Sequence, residues 1–462
     1  MNSRRNGSVL VAVLWCLMLL GVFVLGILHT TRLDLTLVRN HADSIQAYYL
    51  AVAGTEKAKA LIYLDAGERK RAAVSHGGSL ADAPEEFREV VLGRGHFSVV
   101  RHDENGDRVY GITDEESRLN INVASPQELL KLEGLLPEIA AGIADWRDRD
   151  DTVTEGGAET EYYASLRQPY LPRNDNIQTA LELLQVRAMD PTLLLGEDAN
   201  QNGLLDLEED DGDLSRPPDN RDGRLDQGWA GSLCFDSQVR NENAAGQERV
   251  NVQEADEATL RTVRGISPEI ARAIVAYRAQ NRLENIADLL DVAAIQPRPN
   301  APPNAPQPEG QPNGEIVPGG PPNLPGRGQP AGPKLIDEEL FLEIADDVTT
   351  TSDSVQRGPV NVNTASFAVL RCLPGLTDEL ARAIIDYRAS AGYLPNVAHL
   401  LRVPGFKQNL LKQLAPRVTA RSETFRIISE GIVRSSGARK RIEVIVRLNR
   451  STIETISYRE NL

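Results

Sequence analysis

The hydrophobic pattern of the chain opens with an unbroken apolar run. Residues 7–28 read GSVLVAVLWCLMLLGVFVLGIL and contain no charged side chain. At about 1.5 Å of rise per residue, about 20 such residues cross the hydrocarbon core of a membrane. Apolar positions continue at helical spacing without a proline, which predicts one long helix ending near Leu64. A cleavable secretory signal is the alternative, but the run is too long for one, and a retained anchor is favoured.

Two later regions have the alternating pattern of β-strands. Residues 97–101 and 108–112 flank an Asn-Gly turn and predict a hairpin. Near the carboxyl end, residues 425–433, 441–448 and 452–458 alternate apolar and polar positions, which predicts strands with one buried face. We expect these segments to form one antiparallel sheet over the long helix.

Between the two β regions, a helical unit occurs three times. The copies begin at Arg118, Arg249 and Pro359, and each contains a helix, a tight glycine turn and a second helix. A repeat this close is strong evidence for a repeated supersecondary unit. The glycines that allow the sharp turns are Gly134, Gly265 and Gly375.

The repeated units resemble helix-hairpin-helix modules, most of which bind DNA. In those modules the hairpin usually reads Gly-apolar-Gly, so that backbone N–H groups approach a phosphate. Here Leu136, Ser267 and Thr377 stand in place of the second glycine, and their side chains obstruct that approach. The formal net charge of −16 also opposes binding to a polyanion. We therefore interpret the units as helical packing modules.

Calcium is the metal that the spacing of the acidic residues favours. Residues 198–209 fit a twelve-residue calcium loop with a glycine at position 6 and a glutamate at position 12. A solvated acidic loop is the alternative. The predicted ligands are Asp198, Asn200, Asn202, the carbonyl of Leu204, Asp206 and Glu209.

Two further groups of acidic residues are weaker metal candidates. Residues 220–226 repeat the middle of the loop pattern but have a proline and a tryptophan at its two end positions. A second cluster follows the first repeated hairpin, and a plain solvated turn is its alternative. The weaker candidates are Asn220, Asp222, Asp226, Asp148, Asp150, Asp151 and Glu159.

Two other features leave questions open. Residues 296–333 hold 13 of the 27 prolines and predict a disordered linker that cannot bury a core. Of the three cysteines, Cys16 lies in the apolar run, and Cys234 and Cys372 are either one disulfide or two separate thiols.

The amino-terminal sequence resembles that of type IV pilin-like proteins. A short basic leader ends in Gly7, the apolar helix follows, and residues 47–56 read AYYLAVAGTE. In that family a prepilin peptidase cuts after the glycine and methylates the new amino end, which implies a cut between Gly7 and Ser8. Ala12 stands where most pilins carry glutamate, a departure that is typical of the K-type minor pseudopilin of type II secretion systems.

The resemblance to the K-type pseudopilin extends over residues 145–184, with Asp-Trp, Asp-Asp, Gly-Gly-Ala-Glu and Tyr-Tyr in succession. It implies a structural protein that caps the pseudopilus tip, with calcium in its helical domain. The implied partners are other minor and major pseudopilins, the prepilin peptidase and the inner-membrane assembly platform. The implied location is a single-pass inner-membrane anchor with a cytoplasmic amino terminus and a periplasmic body, and Arg4 and Arg5 before the apolar run agree with that orientation.

The expected fold is α+β: a pilin-like helix and small antiparallel sheet, interrupted by an inserted all-α domain. No phosphate loop, nucleophile elbow or zinc-protease motif occurs in the sequence, so we expect no enzyme. A membrane-anchored DNA-binding or DNA-uptake protein is the main alternative function, and an exported calcium-binding adhesin is a third. The expected divisions are a leader (1–7), a transmembrane helix (8–28), a pilin-like part (29–116), a helical insertion with two repeats (117–295), the linker (296–333), the third repeat (334–420) and carboxyl-terminal strands (421–462).

Overall fold

The structure is a computed structural model, and it describes residues 6–72, 79–103, 105–203, 205–212, 214, 216–294, 333–450 and 452–460. The predicted linker, apart from its last residue, and most of the predicted leader lie outside these residues. So does Leu204, the predicted carbonyl ligand.

A single long helix, α1 (Asn6–Ala72), forms the amino-terminal part of the molecule. Residues 9–42 of α1 are exposed, whereas one face of its second half is buried by small and apolar side chains such as Ala47, Ala51 and Ile62. The helix ends eight residues beyond the predicted Leu64. The extra turns contain an Arg69–Asp65 ion pair of 2.8 Å and end in three basic residues, which favour the negative end of the helix dipole.

The second half of α1 packs on one antiparallel sheet, as the sequence predicted. The central strands are β1 (Val90–Leu92), β2 (Gly95–His102), β13 (Thr424–Val433), β14 (Arg439–Leu448) and β15 (Ile453–Glu460), in the order β1-β2-β13-β14-β15. The short strands β3 (Arg108–Val109) and β4 (Thr113–Asp114) pair with β2 and β13. The predicted hairpin therefore exists, but its second arm contains only two residues.

Small residues bring α1 close to this sheet. A Cβ atom added at Gly54 of α1 would overlap the Ser429 hydroxyl, and one added at Gly431 would overlap the Ala47 carbonyl. Glycine is thus required at both positions by close contact rather than by backbone conformation. The helix and the sheet enclose a core of aliphatic residues and two phenylalanines, Phe87 and Phe425.

The whole helical region is inserted between β4 and β13, which are neighbours in the sheet. It contains eleven α-helices and three pairs of short parallel strands among the described residues. The parallel pairs are β5 (Leu119–Asn120) with β6 (Leu233–Cys234), β8 (Val250–Asn251) with β9 (Val348–Thr349), and β11 (Val360–Asn361) with β12 (Val418–Thr419). In addition, β7 (Gln238–Arg240) pairs antiparallel with β10 (Val355–Arg357).

One short helix, α2 (Pro84–Phe87), lies before the insertion. The helices of the insertion are α3 (Pro126–Leu129), α4 (Pro137–Arg147), α5 (Thr160–Ala164), α6 (Ala180–Leu183), α7 (Pro191–Leu195), α8 (Glu257–Leu260), α9 (Pro268–Arg278), α10 (Glu338–Ile344), α11 (Phe367–Leu370), α12 (Asp378–Ala391) and α13 (Gln408–Leu414). Short 3₁₀ turns lie at Ser79–Ala81, Glu115–Ser117, Gly228–Ser232, Ile286–Asp291, Val397–Arg402 and Ala415–Arg417.

Each repeat is closed by its own parallel strand pair, because its first strand pairs with its last. This pairing changes one division expected from the sequence. Residues 334–349 complete the second repeat, since Val348 and Thr349 pair with Val250 and Asn251, whereas the sequence placed these residues in the third. The proline-rich segment therefore interrupts the second repeat instead of separating two repeats.

The arginine at the end of each second helix forms hydrogen bonds with the backbone next to the first strand of its repeat. Arg147, Arg278 and Arg388 each donate to backbone carbonyls just after that strand; Arg278 reaches the Val252 carbonyl at 2.9 Å. The three repeats share one continuous hydrophobic core. Ion pairs such as Arg417–Glu128, at 3.0 Å, join the third repeat to the first.

The two buried cysteines are free thiols. Of the two interpretations left open by the sequence, the structure has separate side chains: Cys234 lies 3.4 Å from the Ser237 hydroxyl, and Cys372 lies 3.1 Å from the Ala368 carbonyl. Burial raises the pKa of both thiols, so both are protonated at neutral pH.

Candidate functional site

The apolar amino-terminal segment is exposed in the isolated chain. Within the described residues, α1 is the one helix long and apolar enough to cross a membrane, with a mean hydropathy of 2.9 in its most apolar window. Ala12, the position of the missing glutamate, is exposed on it. Gly7 and Ser8 fall in the first turn of α1, and their side chains are outside the described set.

The three hairpin glycines adopt the left-handed backbone conformation that the turn requires. Their φ angles are 73° at Gly134, 92° at Gly265 and 73° at Gly375. A later helix of the same repeat packs beside each glycine, through Leu193 in the first repeat and Leu340 in the second. The helices that follow the hairpins carry acidic residues in their first turns, where a DNA phosphate would need positive charge.

Three carboxylates converge after the first hairpin. Asp145 lies in α4, Asp148 follows its last residue, and Glu159 immediately precedes α5. Each of the three offers an oxygen atom, and these atoms lie within 4.8 Å of one another. Asp145 and Glu159 are only 0% and 2% exposed, so two carboxyl groups are buried side by side.

Several oxygens in this cluster lack a partner. Both carboxylate oxygens of Glu159, Oδ1 of Asp148 and Oδ1 of Asn174 are buried without a hydrogen bond within the described part of the chain. Burial, together with the charge of Asp145, raises the pKa of Glu159 to about 7. Unpartnered buried carboxylates are costly, and a hard cation with oxygen ligands removes that cost. The oxygens therefore fit a calcium ion.

The residues that follow α4 lie very close to the carboxylate of Asp145. The Thr154 N–H donates to the Asp145 carboxylate at 3.2 Å. A Cβ atom at Gly157 would overlap that carboxylate, so glycine is required there. Asn174 lies beside the cluster, because its N–H donates to the Trp146 carbonyl at 3.0 Å.

The other two predicted residues of this region point elsewhere. Asp150 and Asp151 are exposed, and their carboxylates accept hydrogen bonds from Thr152 and Thr160 at 2.8 and 2.7 Å. Their negative charges still contribute to the raised pKa of Glu159. The structure thus brings together two of the four residues predicted here and adds Asp145.

The twelve-residue loop keeps its predicted ligands together but satisfies many of their oxygens internally. The Asp198 carboxylate accepts the N–H groups of Asn202 and Gly203, each at 3.0 Å. The Glu209 carboxylate accepts the N–H of Asp206 at 3.2 Å. Burial, with the charge of Glu209, raises the pKa of Asp198 to about 6.

A cation from the sheet occupies one side of this loop. The Nη1 atom of Arg441, on β14, lies 3.0 Å from the Asp206 carboxylate. Although burial acts in the opposite direction, hydrogen bonds from Asn202 and the charge of Arg441 lower the pKa of Asp206. Arg459 on β15 also donates to the Gln201 carbonyl at 3.3 Å, so the loop is docked on the pilin-like sheet.

The incomplete second loop is held by a residue that the sequence analysis did not select. The buried carboxylate of Glu197 accepts the N–H groups of Asn220 at 3.1 Å and Asp226 at 3.2 Å. The Asn220 and Asp222 side chains accept N–H groups two residues further along, each at 2.8 Å. These oxygens stabilise turns.

The sequence analysis missed Asp145, Asn174 and Glu197. Asp145 was visible as an acidic residue among the apolar positions of a predicted helix, next to a tryptophan. An acidic residue at such a position is either exposed, because the buried face of the helix shifts, or buried with a partner for its carboxylate. The sequence therefore contained a signal for Asp145. Asn174 and Glu197 carried no comparable signal, because their roles depend on how the loops meet.

Comparisons with known proteins find two matching family models and a similar solved structure. Residues 109–195 match the family described as "Type II secretion system (T2SS), protein K". Residues 245–299 and 355–419 match the helix-hairpin-helix motif family. The crystal structure of the GspK-GspI-GspJ complex from the enterotoxigenic Escherichia coli type 2 secretion system is similar over 92% of this chain and 99% of that chain, with 13% identity and a TM-score of 0.45.

Curated proteins of another kind are similar to less than half of this chain. The endonuclease/exonuclease/phosphatase family domain-containing protein 1 of Bos taurus is 30% identical over 181 residues, and that of Mus musculus is 30% identical over 179 residues. Each alignment covers 38% of this chain and 28% of the relative, so the chain spans little more than a quarter of the relatives' length.

The fold and the site define the class of this protein. It is an α+β protein with a pilin-like helix and sheet, an inserted helical domain and an apolar amino-terminal helix. Within that class, residues 109–195 are similar to type II secretion protein K, and residues 245–299 and 355–419 are similar to helix-hairpin-helix motifs. The resemblance predicted from the sequence is confirmed.

Proposed function

We propose that this chain is a K-type minor pseudopilin of a type II secretion system, which caps the tip of the pseudopilus and acts there as a structural subunit without enzymatic activity. The observation that carries the proposal is where the inserted helical body meets α1. Lys70, two residues before the carboxyl end of α1, lies beside Gly246 of the helical body and donates to the Arg450 carbonyl at 3.4 Å. The apolar segment lies at the opposite end. A subunit stacked above would meet the helical body.

The residue at position 12 supports the same proposal. Ala12 offers no carboxylate to pair with the amino end of a subunit above it. An end subunit needs no such partner. The test is to label the body with an antibody fragment on assembled pseudopili and image the fibres. We expect one label at one end of each fibre, and regular labels along the shaft would contradict the cap.

We also propose that a prepilin peptidase removes the leader after Gly7 and methylates Ser8. The basic leader and the apolar helix support this processing. Intact mass and amino-terminal sequencing of protein from native membranes test it. Gly7→Arg should prevent the cut, whereas Gly26→Ala, a matched change further along the same helix, should leave it intact. An unchanged mature mass in Gly7→Arg would contradict the proposal.

The proposed location is the inner membrane, with a single span, a cytoplasmic amino terminus and a periplasmic body. The exposed apolar surface of residues 9–28 supports both this location and packing against other pseudopilins. Cys16 is exposed on that surface and serves as a cross-linking position. We expect Cys16 to cross-link to cysteines introduced into the amino-terminal helices of other pseudopilins. The exclusive recovery of uncross-linked chain would contradict the packing.

We propose that the helical domain binds Ca²⁺ at two places. The cluster of Asp145, Asp148 and Glu159 is supported by its unpartnered buried oxygens, and the loop 198–209 is supported by its ligand spacing. Metal analysis of the full chain in detergent tests both. We expect two Ca²⁺ ions per chain, one in either Glu159→Gln or Asp198→Asn, and two in the control Asp222→Asn. Calcium-free protein after equilibration would contradict both sites.

A DNA-binding function is the second candidate, because two stretches match the helix-hairpin-helix family. The acidic residues in the first turns after the hairpins weigh against it. A gel-shift titration of the full chain at several salt concentrations separates the two candidates. We expect no salt-sensitive shift, and tight binding with a steep salt slope would favour DNA uptake.

A further inference from the structure

A deep cleft separates the second and third repeats. Its volume is about 710 Å³, which lies in the range of cavities that hold small ligands or short peptides. Its walls are the end of the second repeat, strand β10 and the segment that leads from the third repeat to the sheet. The candidate metal ligands and hairpin glycines are not among the residues lining it.

One buried arginine in this cleft is unsatisfied. Arg421 is 8% exposed, and its Nη2 atom is buried without a hydrogen-bond partner among the described residues. Burial, with the repulsion of the nearby Arg249, lowers the pKa of Arg421 to about 10. The guanidinium therefore remains charged at neutral pH, although burial makes the charge costly.

The carboxylates near Arg421 are already engaged by other groups. Asp346 accepts from Arg249 at 2.8 Å and from the Ala244 N–H at 2.6 Å. Glu423 accepts hydrogen bonds from the Nε and Nη2 atoms of Arg240, and the shorter one is 2.7 Å long. Each of these two carboxylates is thus paired with an arginine other than Arg421. A further carboxylate from outside the chain would supply what Arg421 lacks.

We propose that this cleft binds a carboxylate-bearing segment of another protein, with the carboxylate paired to Arg421. A guanidinium binds a carboxylate through two parallel hydrogen bonds. Two other acidic side chains that line the cleft, Glu284 and Asp353, disfavour the higher charge of a phosphate and suit the N–H donors of a peptide. The threonine and asparagine side chains in its lining can form hydrogen bonds with the backbone of an extended segment.

The test uses the full chain in detergent and a pair of labelled peptides, acetyl-Ala-Glu-Ala-amide and its glutamine analogue. We expect the glutamate peptide to bind about tenfold more tightly, because only it brings the charge. Arg421→Gln should abolish that preference, whereas Arg357→Gln, an exposed arginine on the same cleft, should change it less than about twofold.

Thermal unfolding of both variants checks that they are folded before binding is measured. A second measurement uses wild-type protein alone: saturating glutamate peptide should raise its melting temperature, and the glutamine peptide should not. Equal binding of the two peptides to wild-type protein would overturn the proposal. Displacement of the glutamate peptide by inorganic phosphate at equal concentration would also overturn it, by showing a general small-anion site.

Discussion

The two candidate calcium sites are built in opposite ways. The loop 198–209 has the spacing of a calcium loop, yet its carboxylates already accept backbone N–H groups and Asp206 already pairs with Arg441. The cluster of Asp145, Asp148 and Glu159 has no such spacing, yet four buried oxygens in and beside it have no hydrogen-bond partner in the part of the chain that the structure describes. Sequence spacing identifies where ligands can gather, whereas unpaired buried charge identifies where a cation is needed.

The strongest test of this difference is Glu159→Gln. In excess calcium, at about 100 times its dissociation constant, the cluster should add about 3 kcal/mol to the free energy of unfolding of wild-type protein, and the variant should lack this part of the gain while keeping the part that the loop contributes. In chelator the variant should be at least as stable as wild type, because a neutral amide replaces a buried carboxylate with unpartnered oxygens. Denaturant unfolding with and without calcium measures both. A variant less stable than wild type in chelator would contradict the unpaired charge.

A second test acts on the shape of the cluster. Gly157→Ala should lower the free energy of unfolding by about 1–3 kcal/mol, because its Cβ would overlap the Asp145 carboxylate. It should also weaken calcium binding. Gly67→Ala, a helical position with open space around it, is the matched control and should be neutral or stabilising. Equal behaviour of the two variants would show that the close approach at Gly157 is unimportant.

The third test uses pH in the absence of metal. The folded-state pKa of Glu159, about 7, lies above its ordinary value of 4.5, so the folded protein holds this proton more tightly than the unfolded chain does. Metal-free protein should therefore lose stability as pH rises from 4.5 to 7. Melting temperatures over that interval measure the slope, which should be smaller in Glu159→Gln. Calcium should also reduce it, because the metal favours the ionised carboxylate. An identical slope in the variant would assign the effect to other groups.

The smallest expected effect concerns the loop. Arg441→Gln removes the cation beside Asp206, so calcium affinity at the loop should rise a few-fold. Glu430, the other partner of Arg441, keeps Arg108 and Arg439. Calcium titration in the Glu159→Gln background isolates this site. An unchanged or weaker affinity would show that Arg441 helps to form the site instead of competing with the metal.

Much of the fold followed from local pattern. Alternation predicted the three carboxyl-terminal strands to within two residues at each end, and the internal repeat predicted the helical units. The second repeat was divided wrongly because the proline-rich segment hides the continuity of the chain between Ala294 and Pro333. Only the pairing of Val348 and Thr349 with the first strand reveals it.

The candidate sites were less predictable than the fold. Spacing found the loop 198–209 because its ligands lie within twelve residues of one another. Asp145 and Glu159 are separated by a turn whose path no local rule specifies, and Asn174 arrives from a later segment. Arg421 had no sequence signal, since an arginine without a partner is recognised only after every neighbouring carboxylate has been assigned.

The proline-rich insertion leaves and re-enters the second repeat at almost the same point. The Ala294 N–H donates to the Pro333 carbonyl at 2.9 Å, and the Leu335 N–H donates to the Val292 carbonyl at 3.0 Å. Because the two ends meet, lengthening the insertion adds an entropy cost of loop closure that rises only with the logarithm of its length. Doubling the insertion would cost about 0.6 kcal/mol. This position lets the chain gain or lose residues during evolution while the repeat around it keeps its packing.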